Sequence, residues 1–469
     1  MLLKQKSAFR SQDWARDRLF DHYADLICVN HILTRSLVSF QGNKKQAFSR
    51  WLRYKEAFSC EFVNFIFDRV DVEKSEEKNF FDPFAGSGTA LFVAAERGWN
   101  AGGTELLPVG AAVIKARIAA NNVDLTQLAN IVDTLDRIFA ARGNGYEFPH
   151  LKITQGAFPA INEGDIASYR AFVRKLDDRS LKTLLDFAGL CVLEDVSFTR
   201  KDGQYLRWDK RSGRKVTSSL HKGEIPRFRF AIKKKLEDIV SDIRVQGQRD
   251  ATGRISIAQE SFLLHGIKNK NHTADFVITS PPYCNRYDYT RTYALELAYL
   301  GYNENDVRKL RQSLLSATVE NRPKIDTLRD LFTSCNQANR FVSISEAFQS
   351  ADALHEVISI LEEAADAGEL NNSHIPRMIR NYFFEMAVAV SHLSSLVRKR
   401  GLVVMVNDNV RYFGEEVPVD LVLASFAEAF GFDVEAIWVL PKGKGNSSQQ
   451  MGAHGRTELR KCVYIWRKR

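Results

Sequence analysis

The 469-residue chain has few cysteines, few prolines and no long apolar run, and each shortage excludes a class of protein. With 11 Pro and 27 Gly it is neither collagen-like nor a low-complexity polymer. Its 6 cysteines are scattered singly, without a CxxC pair or a Cys/His cluster at zinc-ligand spacing, so we expect no disulfide and no metal site. No apolar stretch reaches the about 18 residues that a bilayer requires. The first residues turn polar before a signal-peptide core could form, which predicts a cytoplasmic protein.

The composition itself is that of an ordinary globular protein, with 45% hydrophobic and 26% charged residues. At roughly 100 to 200 residues per domain, the length predicts either two to four domains or one large core with insertions. The formal net charge of +9 favours a polyanionic partner without requiring one.

The positive charge is concentrated in one segment. Between Arg200 and Lys235 there are 13 lysines and arginines against 3 acidic residues, so this segment exceeds the net charge of the whole chain. Aromatic residues are interleaved with the basic ones, a mixture that suits contact with phosphates and stacked bases. A solvated basic surface loop is the alternative. The candidate nucleic-acid contacts are Arg200, Arg207, Lys210, Arg211, Arg227 and Arg229.

A glycine-containing turn marks a βαβ unit near the start of the chain. Phe80–Phe81 reads as a short strand, Asp82–Thr89 as the turn, Ala90–Arg97 as a helix and Ala101–Thr104 as a second strand. The turn completes neither a Walker loop nor GxGxxG, but its glycines allow close approach of a ligand to a helix N-terminus. Glu105, directly after the second strand, is placed to bind ribose hydroxyls.

A second motif follows the predicted strand Phe276–Thr279. Two consecutive prolines fix the backbone after this strand and donate no hydrogen bonds, so the carbonyls of Ser280 and Pro281 can act as acceptors. The Ser280 hydroxyl adds another acceptor, and Tyr283 offers a stacking face. This arrangement suits a planar base held by its exocyclic amine.

Together the two motifs resemble those of the S-adenosylmethionine-dependent DNA amino-methyltransferases. Asp82–Thr89 resembles the cofactor motif I of that family, and Thr279–Tyr283 resembles its catalytic motif IV. The resemblance implies S-adenosylmethionine as cofactor and duplex DNA as substrate. It also implies catalytic roles for Ser280, Pro281, Pro282 and Tyr283.

Weaker similarities complete the pattern. Arg53–Val63 resembles motif X, Glu105 stands at the motif II acid, and Ile257–Ser261 resembles a degenerate motif III with Glu260 where an Asp is usual. The resemblance covers residues 50–122, 254–302 and 376–469. The cofactor-binding residues that it implies are Phe58, Ser59, Asp82, Pro83, Phe84, Ala85, Gly86, Ser87, Gly88, Thr89, Glu105 and Glu260.

The order of the motifs and the first residue of the catalytic tetrapeptide narrow the expected target-recognition region and the expected methylated atom. Motifs X and I precede motif IV, and in that class the target-recognition region lies between motifs I and IV, where the basic segment falls. Ser280 heads the catalytic tetrapeptide, which favours cytosine N4 over adenine N6 as the methylated atom. The resemblance further implies base flipping, direct transfer without a covalent role for Cys284, and a restriction-modification system with a cognate endonuclease.

We expect a Rossmann-like α/β methyltransferase sheet that ends in an antiparallel strand pair and carries two insertions. The predicted parts are an N-terminal segment with motif X (1–70), a cofactor-binding half (71–124), a basic target-recognition insertion (125–250), a catalytic segment (251–302), a helical insertion (303–375) and the C-terminal core (376–469).

Several alternatives stay open. The base could be adenine, the substrate could be RNA, since tRNA guanine-N2 enzymes have similar motifs, or the chain could be a non-catalytic nucleic-acid-binding subunit. Residues 285–291 could line the base pocket or form an ordinary helical turn. The loop at 442–449 is similarly a motif VIII candidate or a mobile connection, and the acidic stretch Glu346–Glu369 suggests packing or a protein partner.

Overall fold

The computed structural model describes residues 14–72, 77–140, 147–202, 205–215, 220–246, 253–268, 273–441, 444–445 and 458–469. The helices there are α1 Ala15–Tyr23, α2 Cys60–Arg69, α3 Thr89–Glu96, α4 Pro108–Ala120, α5 Leu125–Asp133, α6 Leu135–Ala140, α7 Ala160–Arg174, α8 Arg179–Val192, α9 Phe228–Gln246, α10 Phe262–Lys268, α11 Tyr289–Thr292, α12 Ala294–Tyr299, α13 Glu304–Ser313, α14 Ile325–Ser334, α15 Ala338–Gln349, α16 Asp352–Asp366, α17 Ile375–Leu396 and α18 Val419–Ala429. The strands are β1 Ile27–Val29, β2 Asn79–Asp82, β3 Asn100–Thr104, β4 Thr199–Asp202, β5 Tyr205–Trp208, β6 Ile255–Ala258, β7 Ala274–Thr279, β8 Val397–Asp408, β9 Val410–Tyr412, β10 Glu415–Val417, β11 Phe432–Val439, β12 Lys444–Gly445, β13 Glu458–Leu459 and β14 Lys461–Lys468.

Eight strands form one sheet in the order β1-β11-β14-β8-β7-β2-β3-β6. Neighbouring strands are parallel except at β14, which runs antiparallel to both β11 and β8. The predicted Rossmann-like methyltransferase sheet with a C-terminal antiparallel pair is therefore confirmed. The parallel strands β2, β3, β7 and β8 end at the same edge, which is where open α/β sheets bind ligands.

Helices cover both faces of the sheet and explain why its central strands are apolar. Every residue of β7 is buried, as expected for a strand between two helical layers. One layer contains α2 and α3, whose apolar side chains pack with those of β2 and β7. The opposite layer contains α10, α17 and α18, and it shares a core with β8 and β14.

The chain between α4 and β6 forms a helical body, α5 to α9, whose core also includes residues of α4, α12 and α13. An antiparallel hairpin of β4 and β5 projects from this body. Trp208 and Phe228, two aromatic residues of the basic segment, are buried in that core, so they are not available to stack on bases.

The helices α13 to α16 precede the long helix α17. The acidic helix α16 packs against α17 through Leu354, Val357 and Leu361, which are all buried. The Glu356 Oε1 atom accepts a hydrogen bond of 2.6 Å from Arg16 Nε. The acidic segment thus packs against the core of the sheet. In the described ranges, no helix combines the length and the apolar character needed to cross a membrane.

Candidate active site

The turn after β2 depends on two glycines in a left-handed conformation. Gly86 has a φ of +55° and Gly88 a φ of +76°. A Cβ atom at Gly88 would lie 2.7 Å from Ile114 Cγ1, so the close contact with α4 also requires glycine. The Gly88 amide donates to the Ala85 carbonyl at 2.7 Å and closes the turn before α3 begins.

Glu105, the first residue after β3, holds this turn from the side. Its carboxylate accepts hydrogen bonds of 2.6 Å from the amides of Gly86 and Leu107. Burial raises the pKa of Glu105 to about 8, against the opposing effect of these two hydrogen bonds. Each oxygen keeps a further lone pair, so the carboxylate can still accept from a ligand hydroxyl.

Asp82 joins the two motifs that the sequence analysis identified. Its Oδ1 atom accepts hydrogen bonds from Thr279 Oγ1 at 2.7 Å and from the Phe84 amide at 3.0 Å. Thr279 is the last residue of β7, so this contact connects the ends of two adjacent strands. Burial raises the pKa of Asp82 to about 7, and the same two hydrogen bonds oppose that shift.

The catalytic motif begins where β7 ends. The Ser280 hydroxyl donates toward Tyr283 Oη at 3.4 Å, which leaves the lone pairs of Ser280 Oγ available as acceptors. Cys284 is fully buried, and burial raises the pKa of its thiol. The Tyr412 hydroxyl donates to the Cys284 carbonyl at 2.7 Å and fixes the backbone after the motif.

A cavity of about 620 Å³ opens at this edge of the sheet. Its walls combine apolar side chains with a few polar groups, as the walls of small-molecule and cofactor sites do. The lining residues are Tyr54, Glu56, Pro83, Phe84, Gly86, Thr104, Glu105, Leu106, Leu107, Glu260, Ser261, Phe262, Ser280, Pro282, Tyr289, Leu314 and Leu315.

The cavity brings several candidates from different motifs together: Pro83, Phe84, Gly86, Glu105, Glu260, Ser280 and Pro282. The other motif I residues, Asp82, Ala85, Ser87, Gly88 and Thr89, form the strand end, the turn and the helix start behind that lining. Pro281 is buried, and Tyr283 is not part of the lining.

Phe58 and Ser59 lie elsewhere, buried directly before α2. Ser59 Oγ accepts from the Phe62 amide at 3.0 Å and caps α2, while Phe58 packs against Phe62 with ring centroids 5.6 Å apart. From the same segment, Tyr54 and Glu56 line the cavity instead. The motif X similarity thus located the segment, but the residues that reach the cavity are Tyr54 and Glu56, four and two positions before Phe58.

Glu260 lies at the end of β6 on the cavity wall. Its carboxylate accepts from Lys268 Nζ at 3.1 Å and is 2.7 Å from His265 Nδ1. Burial opposes ionisation of this group, but the hydrogen bonds from His265 and Lys268 outweigh it and lower the pKa of Glu260. A carboxylate therefore stands where the family pattern has an Asp.

Sequence reasoning missed part of the cavity wall. Tyr289 of α11, within the segment 285–291 that the sequence offered as a possible pocket lining, does line the cavity. The sequence did not point to Tyr293, which stacks on Tyr54 with centroids 5.4 Å apart and donates to Glu56 Oε2 at 2.7 Å. Leu314 and Leu315 follow α13 and belong to the segment interpreted as a helical insertion. No local pattern marks these two leucines, because only the chain path brings them to the cavity.

The hairpin of β4 and β5 presents a pair of like charges. Arg200 and Arg207 are directly opposite each other in the antiparallel register, and both are exposed. Like charges at such positions repel each other. Lys210, which follows the hairpin, is also exposed. The hairpin contacts α11, so this basic surface adjoins the catalytic end of the sheet.

Three other basic candidates form ion pairs within the protein. Arg229 donates to Asp165 through Nε at 3.2 Å and Nη2 at 2.9 Å, and Arg227 Nη2 donates to the same carboxylate at 3.2 Å. Arg211 forms a bidentate pair with Asp209 at 2.8 and 2.7 Å. Only part of the positive charge counted in the sequence is therefore available to a ligand.

The sheet order, the antiparallel strand β14 and a cavity between two motif-bearing strand ends define a protein class. It is the Rossmann-like, S-adenosylmethionine-dependent methyltransferases. No family model matches the chain.

Comparison with curated proteins identifies full-length relatives. The chain is 41% identical over 460 residues to the type II methyltransferase M.AvaI of Nostoc sp. and of Anabaena variabilis, covering 96% of this chain and 92% of each relative. It is 37% identical over 467 residues to the type II methyltransferase M.BsoBI of Geobacillus stearothermophilus, covering 95% and 90%. The chain therefore belongs to the type II DNA methyltransferases of restriction-modification systems, which use S-adenosylmethionine as methyl donor.

Proposed function

We propose that this protein methylates the exocyclic N4 atom of a cytosine within a specific duplex DNA site. The observation that carries the proposal is Ser280, which heads the Pro-Pro-Tyr motif at the end of β7 and lies on the cavity wall. The motif thus combines the residue type typical of cytosine-N4 enzymes with a position beside the cofactor site.

The cavity fits S-adenosylmethionine by the chemistry of its walls. Glu105 offers carboxylate acceptors for ribose hydroxyls, the Gly86 turn allows close backbone approach, and Leu106 belongs to an apolar wall suited to an adenine ring. A Cβ atom at Gly110 would lie 2.5 Å from the Gly86 carbonyl, so α4 supports the turn at a distance that only glycine permits. When bound, the cofactor supplies an electrophilic methyl group on a positively charged sulfur.

Ser280 and Pro281 would position the target amine. Its lone pair is delocalised into the ring, so the nitrogen is a poor nucleophile until the delocalisation weakens. If Ser280 Oγ and the Pro281 carbonyl each accept one N–H hydrogen, the nitrogen becomes more pyramidal and its lone pair points at the methyl group. The gain is one of orientation and electrostatics. The base must leave the duplex to arrive there, and Tyr283 would stack on it.

The hairpin and its flank would hold the DNA. Arg200, Arg207 and Lys210 are exposed, and the hairpin adjoins α11 beside the catalytic motif. Phosphate contacts of this kind fix orientation, whereas base-edge contacts give sequence specificity. We further propose that a restriction endonuclease acts at the same DNA site, because type II methyltransferases belong to restriction-modification systems.

The decisive experiment is identification of the product. The protein is incubated with radiolabelled cofactor and either duplex DNA or RNA, and the nucleic acid is digested to nucleosides. We expect labelled N4-methylcytosine from DNA alone. Labelled N6-methyladenine would disprove the base assignment, and label in RNA alone would disprove the substrate.

A further inference from the structure

The described part of β14 begins with a lysine that the catalytic roles above do not use. Lys461 is opposite Asp408 in the register of β14 and β8, and its Nζ atom is 3.5 Å from Asp408 Oδ1. The same Nζ atom is 5.8 Å from the centroid of the Tyr283 ring. We propose that Lys461, held by Asp408, donates a hydrogen bond to the ring edge of the flipped cytosine and so selects this base; the proposal rests on the cytosine-N4 function above.

The position of Lys461 suits the base rather than the cofactor. Ser280 and Pro282 line the cofactor cavity, whereas Tyr283, Asp408 and Lys461 do not. A base stacked on Tyr283 with its amine at Ser280 has its adjacent ring edge within reach of a flexible side chain beside the tyrosine. Lys461 therefore lies where the atoms next to the amine would be read.

The electrostatic setting keeps Lys461 a donor. Its side chain is 18% exposed and that of Asp408 is 17% exposed, so both charges are partly removed from water. Burial lowers the pKa of Lys461, but attraction to Asp408 outweighs it and the pKa is raised. An ammonium group that cannot lose its proton near neutral pH can donate hydrogen bonds but cannot accept them.

The chemistry of the bases makes this donor selective. Beyond its amine, the Watson–Crick edge of cytosine carries two acceptors, N3 and O2, whereas that of adenine carries N1 and then a C–H group. The atom next to the amine is an acceptor in both bases, so a cationic donor distinguishes them where it reaches O2 of cytosine, which adenine replaces by the C–H group. An ordinary cross-strand ion pair would stabilise the sheet without distinguishing the atoms of the substrate base.

The test combines a variant with altered substrates. Duplexes carry the methylation site mapped with the wild-type protein, with cytosine, 3-deazacytosine or 2-thiocytosine at the target position. For the wild type we expect kcat/KM to fall about 10- to 100-fold with at least one analogue, the usual effect of losing a charged hydrogen bond. For Lys461→Met we expect a similar loss with cytosine itself, and analogue ratios within about threefold of unity, because the donor is already gone.

Two further variants separate base reading from structure. Lys461→Arg keeps a cationic donor and should keep the sensitivity to the analogues. Lys399→Met removes a lysine that is exposed near the other end of β8, and its analogue ratios should equal those of the wild type. Cofactor affinity, measured by calorimetry, should be unchanged in every variant.

The outcomes distinguish the two proposals. If the wild type methylates cytosine N4 and Lys461→Met retains the full analogue effect, or Lys461→Arg loses it, the role of Lys461 is wrong while the cytosine-N4 function stands. If the wild type instead yields N6-methyladenine, the function itself is wrong, and this result is obtained before any variant is made.

Discussion

The catalytic edge of the sheet and the basic hairpin region are built in opposite ways. At the edge, residues far apart in sequence meet: Asp82 and Thr279 are joined by a hydrogen bond of 2.7 Å. In the hairpin, neighbours are separated: Arg200 is exposed, whereas Lys201 is buried and paired with Glu296 of α12. A motif at a strand end has the geometry that the sequence predicts, because the local backbone conformation fixes it. The charge counted in the sequence does not give the charge exposed to solvent, because alternate residues of a strand face opposite sides.

The largest expected effect is at the catalytic edge. Ser280→Ala removes an acceptor that would orient the target amine, and we expect kcat to fall of the order of 100-fold or more. Tyr283→Ala removes the stacking face, worth about 1 to 3 kcal/mol per base in other proteins. Methyl transfer to DNA measures both. Ser313→Ala, at the exposed end of α13, serves as the control. Full activity in both catalytic variants would contradict the roles proposed for this edge.

The next effect separates the charge of Asp82 from its hydrogen bonds. Asn at this position keeps an Oδ1 atom to accept from Thr279 and Phe84, so Asp82→Asn should fold normally. Loss of the charge should weaken cofactor binding about 10-fold in calorimetry, by the scale of charge-assisted interactions. At pH 8 the ligand-free variant should melt a few degrees higher, because it no longer buries a carboxylate. A lower Tm together with unchanged affinity would show that the charge has no part in binding.

A comparison within the basic region follows, using two double variants with equal change of charge. Arg200→Gln/Arg207→Gln removes the exposed pair and should lower the slope of log Kd for DNA against log salt by about 1 to 2. Arg227→Gln/Arg229→Gln leaves the buried Asp165 without its cations, so it should lower Tm and leave the salt slope unchanged. Equal slopes in both variants would remove the distinction drawn between the hairpin arginines and the arginines bound to Asp165.

The smallest expected effect is on pH dependence. A positively charged cofactor favours the ionised forms of Asp82 and Glu105, whose pKa values are about 7 and about 8. Its affinity should therefore weaken about fivefold as pH falls from 8 to 6, with proton release on binding. Calorimetry in buffers of different ionisation enthalpy measures both quantities.

In the protein without cofactor, folding stability changes with pH in the opposite direction to cofactor affinity: the contribution of these two carboxyl groups falls as pH rises. The folded protein holds these protons more tightly than the unfolded chain, so their contribution to stability is complete near pH 4. It is lost as pH rises through about 7 for Asp82 and about 8 for Glu105. A cofactor affinity independent of pH would mean that neither carboxyl interacts with the bound cation.

The sequence located most of the fold that surrounds the site. The predicted strands at Phe80–Phe81, Ala101–Thr104 and Phe276–Thr279 all lie within observed strands, because buried parallel strands are short apolar runs between turn signals. Cofactor-site prediction was less complete. Tyr54 and Glu56 line the cavity from the motif X segment, in which the similarity pointed to Phe58 and Ser59 instead. Leu314 lines the cavity without any local pattern that marks it. The predicted loop at 442–449 lies outside the described residues except for Lys444–Gly445, which form β12.

By itself, the sequence determined the class of protein and located its two motifs at strand ends. Motifs at the ends of strands depend on backbone conformation, which glycines and prolines fix locally, so their residues can be read without knowledge of the fold. Only the tertiary structure decided which charges face solvent, which distant side chains complete the cavity, and that Lys461 lies beside Tyr283. Those outcomes depend on strand register and chain path over hundreds of residues, and no local pattern encodes them.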